Sequence, residues 1–280
     1  MSSDRKIVLV TGSNKGIGYG IIETLLEKKS HFRIILTSRN EDLGHKSFTK
    51  LLSQFPYSKD YFYYHQLDIT NKESISNLIS WIKKEFGKID YLVNNAGLGT
   101  HGVTTDVKLH CAVLDVNVFG TLNFTEEMIK NNMINKKGKI ILVGSMMGNL
   151  NRLNSVQLKN EFKNAKTTQD LLNLGQNFKK SCINGTVEKD GWCKNSYCVS
   201  KMIVNSYSRV LSYRDEIEKN DISVYSAHPG WVKTDMTGPE APLSIKEGAE
   251  NEVFLIELPD GINKEYQGKY FDRFKVTSFE

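Results

Sequence analysis

The chain has 280 residues, of which 39% are hydrophobic, and its 37 basic and 32 acidic side chains leave a formal net charge of +5. These values are ordinary for a globular protein, and a chain of this length buries enough apolar surface to fold without a metal ion or a disulfide. They exclude collagen, disordered and disulfide-scaffold proteins, and the scattering of basic residues among glutamates, with no dense basic block, argues against a nucleic acid partner.

Short apolar runs typical of buried strands alternate with helical patterns along most of the chain. The clearest helix is indicated by five apolar residues that fall on one face, namely Ile75, Leu78, Ile79, Ile82 and Phe86. Other helices are indicated around residues 21–26 and 48–52. The predicted strands are, in chain order, residues 7–10, 34–36, 61–67, 91–93, 140–143 and 222–227, with a weaker one near 268–272.

Continuous apolar strands separated by amphipathic helices predict a parallel sheet whose two faces are both covered. We therefore predict an α/β fold, a Rossmann-type doubly wound sheet of about seven parallel strands, with a cofactor at the carboxyl ends of the strands. Residues 1–280 are expected to form one domain. Residues 149–195 interrupt the alternation because they contain no strand run, and the helix start at residues 167–170 predicts a helical insertion there.

A glycine-rich segment, T-G-S-N-K-G-I-G at residues 11–18, separates the first strand from the first helix. Gly12, Gly16 and Gly18 allow the backbone to turn tightly and approach a pyrophosphate, which the amides of the helix N-terminus stabilise. Such a segment can also be a turn that binds no ligand. Its position between a strand and a helix favours dinucleotide binding.

The charges near the end of the second strand bear on which dinucleotide binds. In NAD-binding folds a carboxylate about 20 residues beyond the glycines binds the ribose 2′-hydroxyl. Here residues 36–39 read L-T-S-R, and no carboxylate occurs before Glu41. Arg39 and Lys15 are suited to a 2′-phosphate, although both can equally be solvated surface cations. Since the acid is missing as well, we expect NADP(H).

A tyrosine and a lysine lie four residues apart in Tyr197-Cys-Val-Ser-Lys201. On a helix this spacing places both on one face, where the ammonium group is expected to lower the pKa of the phenol toward that of a useful proton donor. The pattern is common by chance on helix surfaces. It gains weight here because other polar residues follow strand ends.

Three segments follow predicted strands and should therefore meet at one edge of the sheet. They are N-N-A-G at residues 94–97, Ser145 and Pro229-Gly230. The hydroxyl group of Ser145 is suited to hydrogen-bond a substrate carbonyl. Asn117 falls in the helix after the fourth strand, where it either supports a polar relay or lies on the helix surface.

The motifs T-G-x-x-x-G-x-G, N-N-A-G, serine, Y-x-x-x-K and P-G occur in this order, and in them the chain resembles the short-chain dehydrogenase/reductase family over essentially its whole length. Within that family it is most similar to the monomeric NADPH-dependent carbonyl reductases, on residues 11–18, 228–238 and 247–249. The resemblance implies NADPH-dependent reduction of ketone, aldehyde or quinone carbonyls to alcohols.

The resemblance also implies residue roles. Tyr197 would donate the proton, Lys201 would be its electrostatic partner and a ribose ligand, and Ser145 would orient the carbonyl. Asn117 would hold a water relay. The substrate-binding residues would be Ser145, Met147, Tyr197, Trp231 and Met236, although core packing accounts equally well for Met147, Trp231 and Met236. With the residues already assigned, the cofactor-binding set would be Gly12, Asn14, Lys15, Gly16, Ile17, Gly18, Arg39, Asp68, Ile69, Asn95, Ala96, Gly97, Tyr197, Lys201, Val232 and Thr234.

Two other functions remain open. One is a substrate-specific short-chain alcohol dehydrogenase or ketoreductase of a metabolic pathway. The other is a non-catalytic regulator that senses NADPH and contacts a partner through residues 149–195. In carbonyl reductases a helical insertion before the tyrosine covers the helices that other members use for tetramer assembly, so the resemblance implies a monomer. The residues alone equally allow a lid or a partner site.

The remaining expectations concern compartment and thiols. No apolar run approaches the ~20 residues that cross a bilayer, and a strand-like run begins within the first ten residues. We expect a cytoplasmic protein with a small-molecule carbonyl substrate and no membrane partner.

Two departures from the family pattern stand beside the catalytic motifs, Gly144 before Ser145 and Cys198 after the tyrosine. Cys198 is expected to be buried and inert, the alternative being a thiol that makes the site sensitive to oxidation or alkylation. The four cysteines lack zinc-binding spacings, so free thiols and no metal are expected.

Overall fold

The computed structural model describes residues 5–29, 31–100, 102 and 104–280. Within them, eight strands form one sheet in the order β3-β2-β1-β4-β5-β6-β7-β8. The first seven strands are parallel, and β8 is antiparallel to β7. The strands are β1 Lys6–Val10, β2 Phe32–Ser38, β3 Phe62–Gln66, β4 Ile89–Asn94, β5 Ile134–Val143, β6 Ser223–Ala227, β7 Tyr270–Asp272 and β8 Lys275–Thr277.

Helices connect the parallel strands. The α-helices are α1 Gly16–Glu27, α2 Glu41–Gln54, α3 Lys72–Glu85, α4 Val107–Leu114, α5 Thr121–Lys130, α6 Val156–Asn164, α7 Thr168–Asn184, α8 Ser196–Ser212, α9 Asp215–Lys219 and α10 Ile245–Glu257. A π-helical turn, Asp115–Gly120, joins α4 to α5. Short 3₁₀ turns lie at Pro56–Ser58, Met146–Gly148 and Leu150–Arg152.

Both faces of the sheet are buried, which confirms the predicted α/β fold. Along β1, Leu9 belongs to one hydrophobic core, while Val8 and Val10 belong to the other. The core that contains Leu9 includes apolar residues of α3, α5, α7 and α8. The opposite core includes those of α1 and α10. This alternation is the two-sided burial that continuous apolar strand runs require.

The sheet departs from the prediction at two places. β5 begins at Ile134, six residues before the predicted strand. The prediction missed the first half of the strand because residues 135–137 are polar and form no apolar run. β8 was not predicted, since its three residues are all exposed and carry no apolar run. It pairs antiparallel with β7 and so forms the edge of the sheet.

Residues 149–195 contain α6 and α7, and α7 packs against α4 and α8. Thr167 caps α7 and exchanges hydrogen bonds with Asp170 in a capping box, and the helix ends at Gly185 with φ of 69°. The buried rings of Phe162 and Phe178 pack on Trp192, with ring centroids 6.3 and 5.4 Å apart. These helices are therefore fixed by the main hydrophobic core. None of the helices in the described residues is long and apolar enough to cross a membrane.

Replacement of Phe178 should destabilise the fold. Phe178 of α7 is fully buried in the core. Phe178→Ala removes its ring and leaves a cavity, which should lower the free energy of unfolding by about 3–5 kcal/mol. Urea denaturation followed by circular dichroism measures this change. Ile183→Ala in the same helix is the matched control, because Ile183 is 64% exposed and should cost about 0.5 kcal/mol or less. Equal losses for the two variants would contradict the packing described for α7.

Candidate active site

A cleft of about 340 Å³ lies at the carboxyl ends of β1, β4, β5 and β6, which are neighbours in the sheet. Each of these strands contributes the loop that follows it, and α8 contributes its first turns. Residues expected from the sequence that line the cleft are Gly12, Lys15, Gly16, Ile17, Asn95, Gly97, Tyr197, Lys201, Val232, Thr234 and Met236. The cleft therefore brings together most of the residues that the motifs indicated.

The glycine loop after β1 needs its glycines. Gly12 and Gly16 have φ of 59° and 58°, a backbone conformation that residues other than glycine rarely adopt. A Cβ at Gly18 would collide with the amide group of Asn95 and with Ser13. The Asn95 amide in turn donates to the Gly12 carbonyl over 3.0 Å, which ties the loop to the end of β4. The N-cap residue of α1, Lys15, makes no side-chain hydrogen bond to the first turn, so the turn is not capped by the chain itself.

The structure separates the two cations assigned to a phosphate. Lys15 lines the cleft, but its Nζ lies 2.8 Å from Oδ2 of Asp235, and both side chains are exposed. Arg39 is exposed just beyond the end of β2 and does not line the cleft. Among the described acidic groups, none lies within ion-pair distance of the Arg39 guanidinium. Arg39 thus has no acidic partner among the residues that the structure describes, whereas Lys15 already bridges two sides of the cleft mouth.

The four other residues expected at the dinucleotide lie on neighbouring loops. Asp68 accepts hydrogen bonds through Oδ1 from the backbone N–H and the hydroxyl group of Thr70, and Ile69 is buried beside it. Neither lines the cleft. Asn14 is half-buried, and its carbonyl accepts from Ser47 of α2. Ala96 lies directly against Gly12, which leaves no space for a Cβ there.

Tyr197 and Lys201 lie one helical turn apart at the start of α8, with Nζ of Lys201 5.7 Å from the centroid of the Tyr197 ring. Nζ donates a 2.6 Å hydrogen bond to the carbonyl of Val143, the last residue of β5. Ser145 follows β5 two residues later and hydrogen-bonds the Tyr197 side chain. The Ser145 Oγ also accepts from the N–H of Met147. Tyr197 and Lys201 therefore line the cleft together, whereas Ser145 does not line it and is connected to it through the Tyr197 side chain.

Burial governs the protonation of this group. Burial raises the pKa of Tyr197, and the hydrogen bond with Ser145 only partly opposes the increase. Burial also lowers the pKa of Lys201, to about 8. The sequence led us to expect a lowered pKa for Tyr197, whereas in this structure burial of the phenol raises it.

Asn117 lies in the π-helical turn between α4 and α5, an irregularity that is frequent at functional sites. Its side chain is almost fully buried, so it is not a helix-surface amide. Oδ1 accepts from the N–H of Leu98 over 2.7 Å, and Nδ2 donates to the Leu98 carbonyl over 2.8 Å and to Ser200 over 3.0 Å. The amide therefore fixes the loop after β4 to α8, a contact that the sequence did not reveal.

Only some of the residues expected at a substrate are at the cleft. Met236 lines it and packs against Gly99, where a Cβ would collide with the thioether. Trp231 is 52% exposed and Met147 is half-buried against the core, and neither lines the cleft. The cleft residues that the motifs did not single out are Leu98, Gly99, Val143, Asp235 and Thr237. Leu98 and Gly99 directly follow N-N-A-G, so extending that motif by two residues would have found them.

The loop after β6 closes one side of the cleft. Gly230 turns it with φ of 85°. Val232 is buried and pairs with Leu243, while the hydroxyl groups of Thr234 and Thr237 lie 3.0 Å apart. These contacts hold Val232 and Thr234 at the cleft. In the part of the chain that the structure describes, no group of three His, Cys, Asp or Glu side chains is placed to hold a metal ion.

Two thiols lie beside the catalytic motif. Cys198 is buried, and hydrogen bonding with Cys193 together with burial raises its pKa. Cys193 is half-buried, and the same contact with Cys198 lowers its pKa. Of these two thiols, Cys193 is therefore the one whose thiolate form is favoured.

Comparisons with known proteins agree with this geometry. The family model described as short chain dehydrogenase matches residues 6–157. Carbonyl reductase (NADPH) 1 of Rattus norvegicus is 35% identical over 268 residues, 93% of this chain and 94% of the relative, and that of Mus musculus is 36% identical over 92% and 93%. Salutaridine reductase from Papaver somniferum superposes with a TM-score of 0.84 at 27% identity, over 96% of this chain and 100% of that one. Menthone neomenthol reductase from Mentha piperita superposes with a TM-score of 0.79 at 25% identity, over 95% and 98%.

Alkylation should distinguish the two thiols. At neutral pH iodoacetamide should modify Cys193 before Cys198, since the thiolate is the nucleophile and only Cys193 combines a lowered pKa with solvent access. Peptide mass spectrometry over a time course measures the order of modification. Cys182 serves as an internal control because burial raises its pKa to about 11. Modification of Cys198 first would contradict the assignment.

Proposed function

Because the chain belongs to the short-chain dehydrogenase family and is an NADPH-dependent oxidoreductase related to carbonyl reductases, we propose that it reduces ketone, aldehyde or quinone carbonyls to alcohols. The observation that carries the proposal is the presence of Tyr197 and Lys201 together in the cleft beside the glycine loop, with Ser145 hydrogen-bonded to Tyr197. A pure NADPH sensor has no need of a proton donor held in this way.

The residues present fit NADP(H). The first turn of α1 is not capped by the chain, and the positive φ of Gly12 and Gly16 lets the backbone approach a pyrophosphate there. Arg39 is a free cation at the end of a strand that carries no carboxylate, which suits a 2′-phosphate. Lys15 would join it on releasing Asp235. The other residues that we propose for holding the cofactor are Asp68, Ile69, Asn95, Lys201, Val232 and Thr234.

In the proposed reaction, the hydride that the carbonyl carbon accepts would be supplied by NADPH once it is bound. Ser145 donates a hydrogen bond to the carbonyl oxygen and orients it, and Tyr197 delivers the proton that completes the alcohol. The raised pKa of Tyr197 keeps the phenol protonated, which is the form that a reduction requires. Lys201, one turn away, stabilises the phenolate that the proton transfer leaves behind.

The lining of the cleft supports a broad class of apolar carbonyl substrates. Leu98, Val232 and Met236 present apolar surface close to the proposed proton donor. A flexible thioether adapts to differently shaped partners, which suits ketones, aldehydes and quinones of varied size. Trp231, exposed on the loop after β6, remains a proposed substrate contact.

We propose a cytoplasmic monomer of one domain, residues 1–280, with 149–195 as an insertion. The four cysteines are free, which suits a reducing compartment. α7 packs over α4 and α8, and Phe178 and Leu174 of α7 are buried in that contact. The faces of α4 and α8 that α7 covers are therefore occupied by the chain itself, which supports the proposed monomer.

Loss of the Tyr197 hydroxyl group should remove the activity. Tyr197→Phe keeps the ring but removes the proton donor, so kcat should fall by about 10²–10⁴-fold. The measurement is NADPH oxidation with a quinone or an aromatic aldehyde, followed by absorbance. Tyr213→Phe is the control, because Tyr213 is exposed just after the last turn of α8 and should leave kcat unchanged. Full activity in Tyr197→Phe would contradict the mechanism, and no turnover over a broad panel of carbonyl compounds by cofactor-loaded enzyme would contradict the function.

Cofactor preference should depend on Arg39. In Arg39→Ala the 2′-phosphate loses a charge-assisted contact worth about 1.5–3 kcal/mol, so KM for NADPH should rise by about 10- to 100-fold, whereas KM for NADH should hardly change. Lys46→Ala is the control, since Lys46 is an exposed cation of α2 with no proposed contact. An equal effect on both cofactors would overturn the role of Arg39.

A further inference from the structure

A buried histidine that the proposed reaction does not use follows β6. His228 is 6% exposed and directly precedes Pro229 and Gly230, which line the cleft. Its backbone is held by two neighbouring elements. The N–H of His228 donates to the carbonyl of Phe271 in β7 over 3.2 Å, and its carbonyl accepts from Nδ2 of Asn251 in α10 over 3.0 Å. The loop after β6 therefore starts from a fixed point.

Both ring nitrogens of His228 have partners. Nδ1 accepts a 2.9 Å hydrogen bond from the backbone N–H of Gly230, two residues further along the loop. Nε2 lies 3.0 Å from Oδ1 of Asp272, at the end of β7. Because a backbone N–H can only donate, Nδ1 has to be unprotonated, and the hydrogen of the neutral ring is then on Nε2, which donates it to Asp272. The geometry thus selects the neutral imidazole in one tautomer.

The hydrogen bond to Gly230 bears directly on the cleft. Gly230 has φ of 85°, and a Cβ there would collide with Leu243, so the chain turns sharply at this residue. Val232 and Thr234 follow the turn and line the cleft. Without its anchor at the turn, the loop would spend part of its time in other conformations. The apparent affinity for a ligand that needs the anchored conformation falls accordingly.

The surroundings of the ring favour its neutral form. Burial lowers the pKa of His228 below its usual value of 6.5, the charge of Asp272 opposes this decrease, and that of Arg273 adds to it. The ring of Tyr270 stacks on that of His228, with centroids 5.9 Å apart. The ionisable groups that α8 and α10 contribute here act on Tyr270, and they are Tyr197 and Glu252. Protonation of His228 therefore requires acidic conditions.

We propose that His228 is a positioning residue for the cofactor: its neutral ring holds the N–H of Gly230 and so keeps the loop after β6 in place at the cleft, and protonation of the ring releases the loop. A charged imidazole carries hydrogen on both nitrogens, so Nδ1 would then present a second donor to the N–H of Gly230. Affinity for NADPH should therefore fall as the pH is lowered. This inference rests on the proposed function in taking Val232 and Thr234 as cofactor contacts.

Two substitutions of the same shape separate the hydrogen bond from the packing of the ring. In His228→Asn, Oδ1 takes the place of Nδ1 and accepts from Gly230 at any pH, whereas the isosteric His228→Leu offers no acceptor. At neutral pH, Kd for NADPH, measured by cofactor fluorescence, should be about tenfold higher in His228→Leu than in His228→Asn, because the N–H loses its partner. Equal Kd values would overturn the proposal, since they would show that the ring serves packing alone.

The pH dependence of NADPH binding is the second readout. In the wild type, Kd should rise once the pH falls below 6.5, whereas in His228→Asn it should rise much less, since the amide does not titrate. His31→Asn is the matched control, because it makes the same substitution at an exposed histidine just before β2 and should follow the wild type. A pH dependence that is the same in His228→Asn and wild type would contradict the proposal.

Nitrogen NMR of the wild type decides if neither variant folds. In protein labelled with ¹⁵N-histidine and ¹⁵N-glycine, the ring of His228 should have an unprotonated Nδ1 and a protonated Nε2 at neutral pH, and the amide of Gly230 should shift as the ring titrates. A protonated Nδ1 at neutral pH overturns the proposal. Failure to reduce any carbonyl compound would contradict the proposed function and leave the binding and NMR readouts intact.

Discussion

The parallel hydrogen bonding of β1, β4, β5 and β6 is the constraint on which the rest of the structure depends. Because these strands are neighbours and run in one direction, their carboxyl ends lie at a single edge, and four loops from distant parts of the chain meet there. α8 completes the cleft, since Nζ of Lys201 bonds to the carbonyl of Val143 at the end of β5. A change in strand order would separate the glycine loop from Tyr197, whatever residues each segment carried.

At this edge of the sheet, desolvation is the largest influence on the pKa values of Tyr197 and Lys201. Burial raises the pKa of Tyr197 and lowers that of Lys201, so the same desolvation favours the protonated phenol and disfavours the charged ammonium group. The buried amide of Asn117 contributes differently, since it holds the Leu98 backbone in place and thereby fixes one wall of the cleft.

Local patterns predicted the fold and much of the cleft, because strand periodicity, glycine turns and helical i, i+4 spacing are set by neighbouring residues. Contacts between distant residues left no such trace: Lys15 pairs with Asp235, 220 positions away. The sequence did not indicate that Glu252 of α10 is fully buried either, since the run E-G-A-E-N-E at 247–252 is typical of a solvated helix surface. Trp231 and Met147 were expected at the cleft, and neither lines it, because motif position does not specify side-chain direction.

In the proposed mechanism the hydride passes directly from the reduced dinucleotide to the carbonyl carbon in the cleft. The most direct test is mass spectrometry and NMR of the alcohol formed from an aromatic aldehyde with NADPH that carries deuterium at both positions of nicotinamide carbon 4. One deuterium is expected on the former carbonyl carbon and, in heavy water with unlabelled NADPH, none there. An alcohol that carries solvent hydrogen on that carbon, or a protein that forms no alcohol at all, would contradict it.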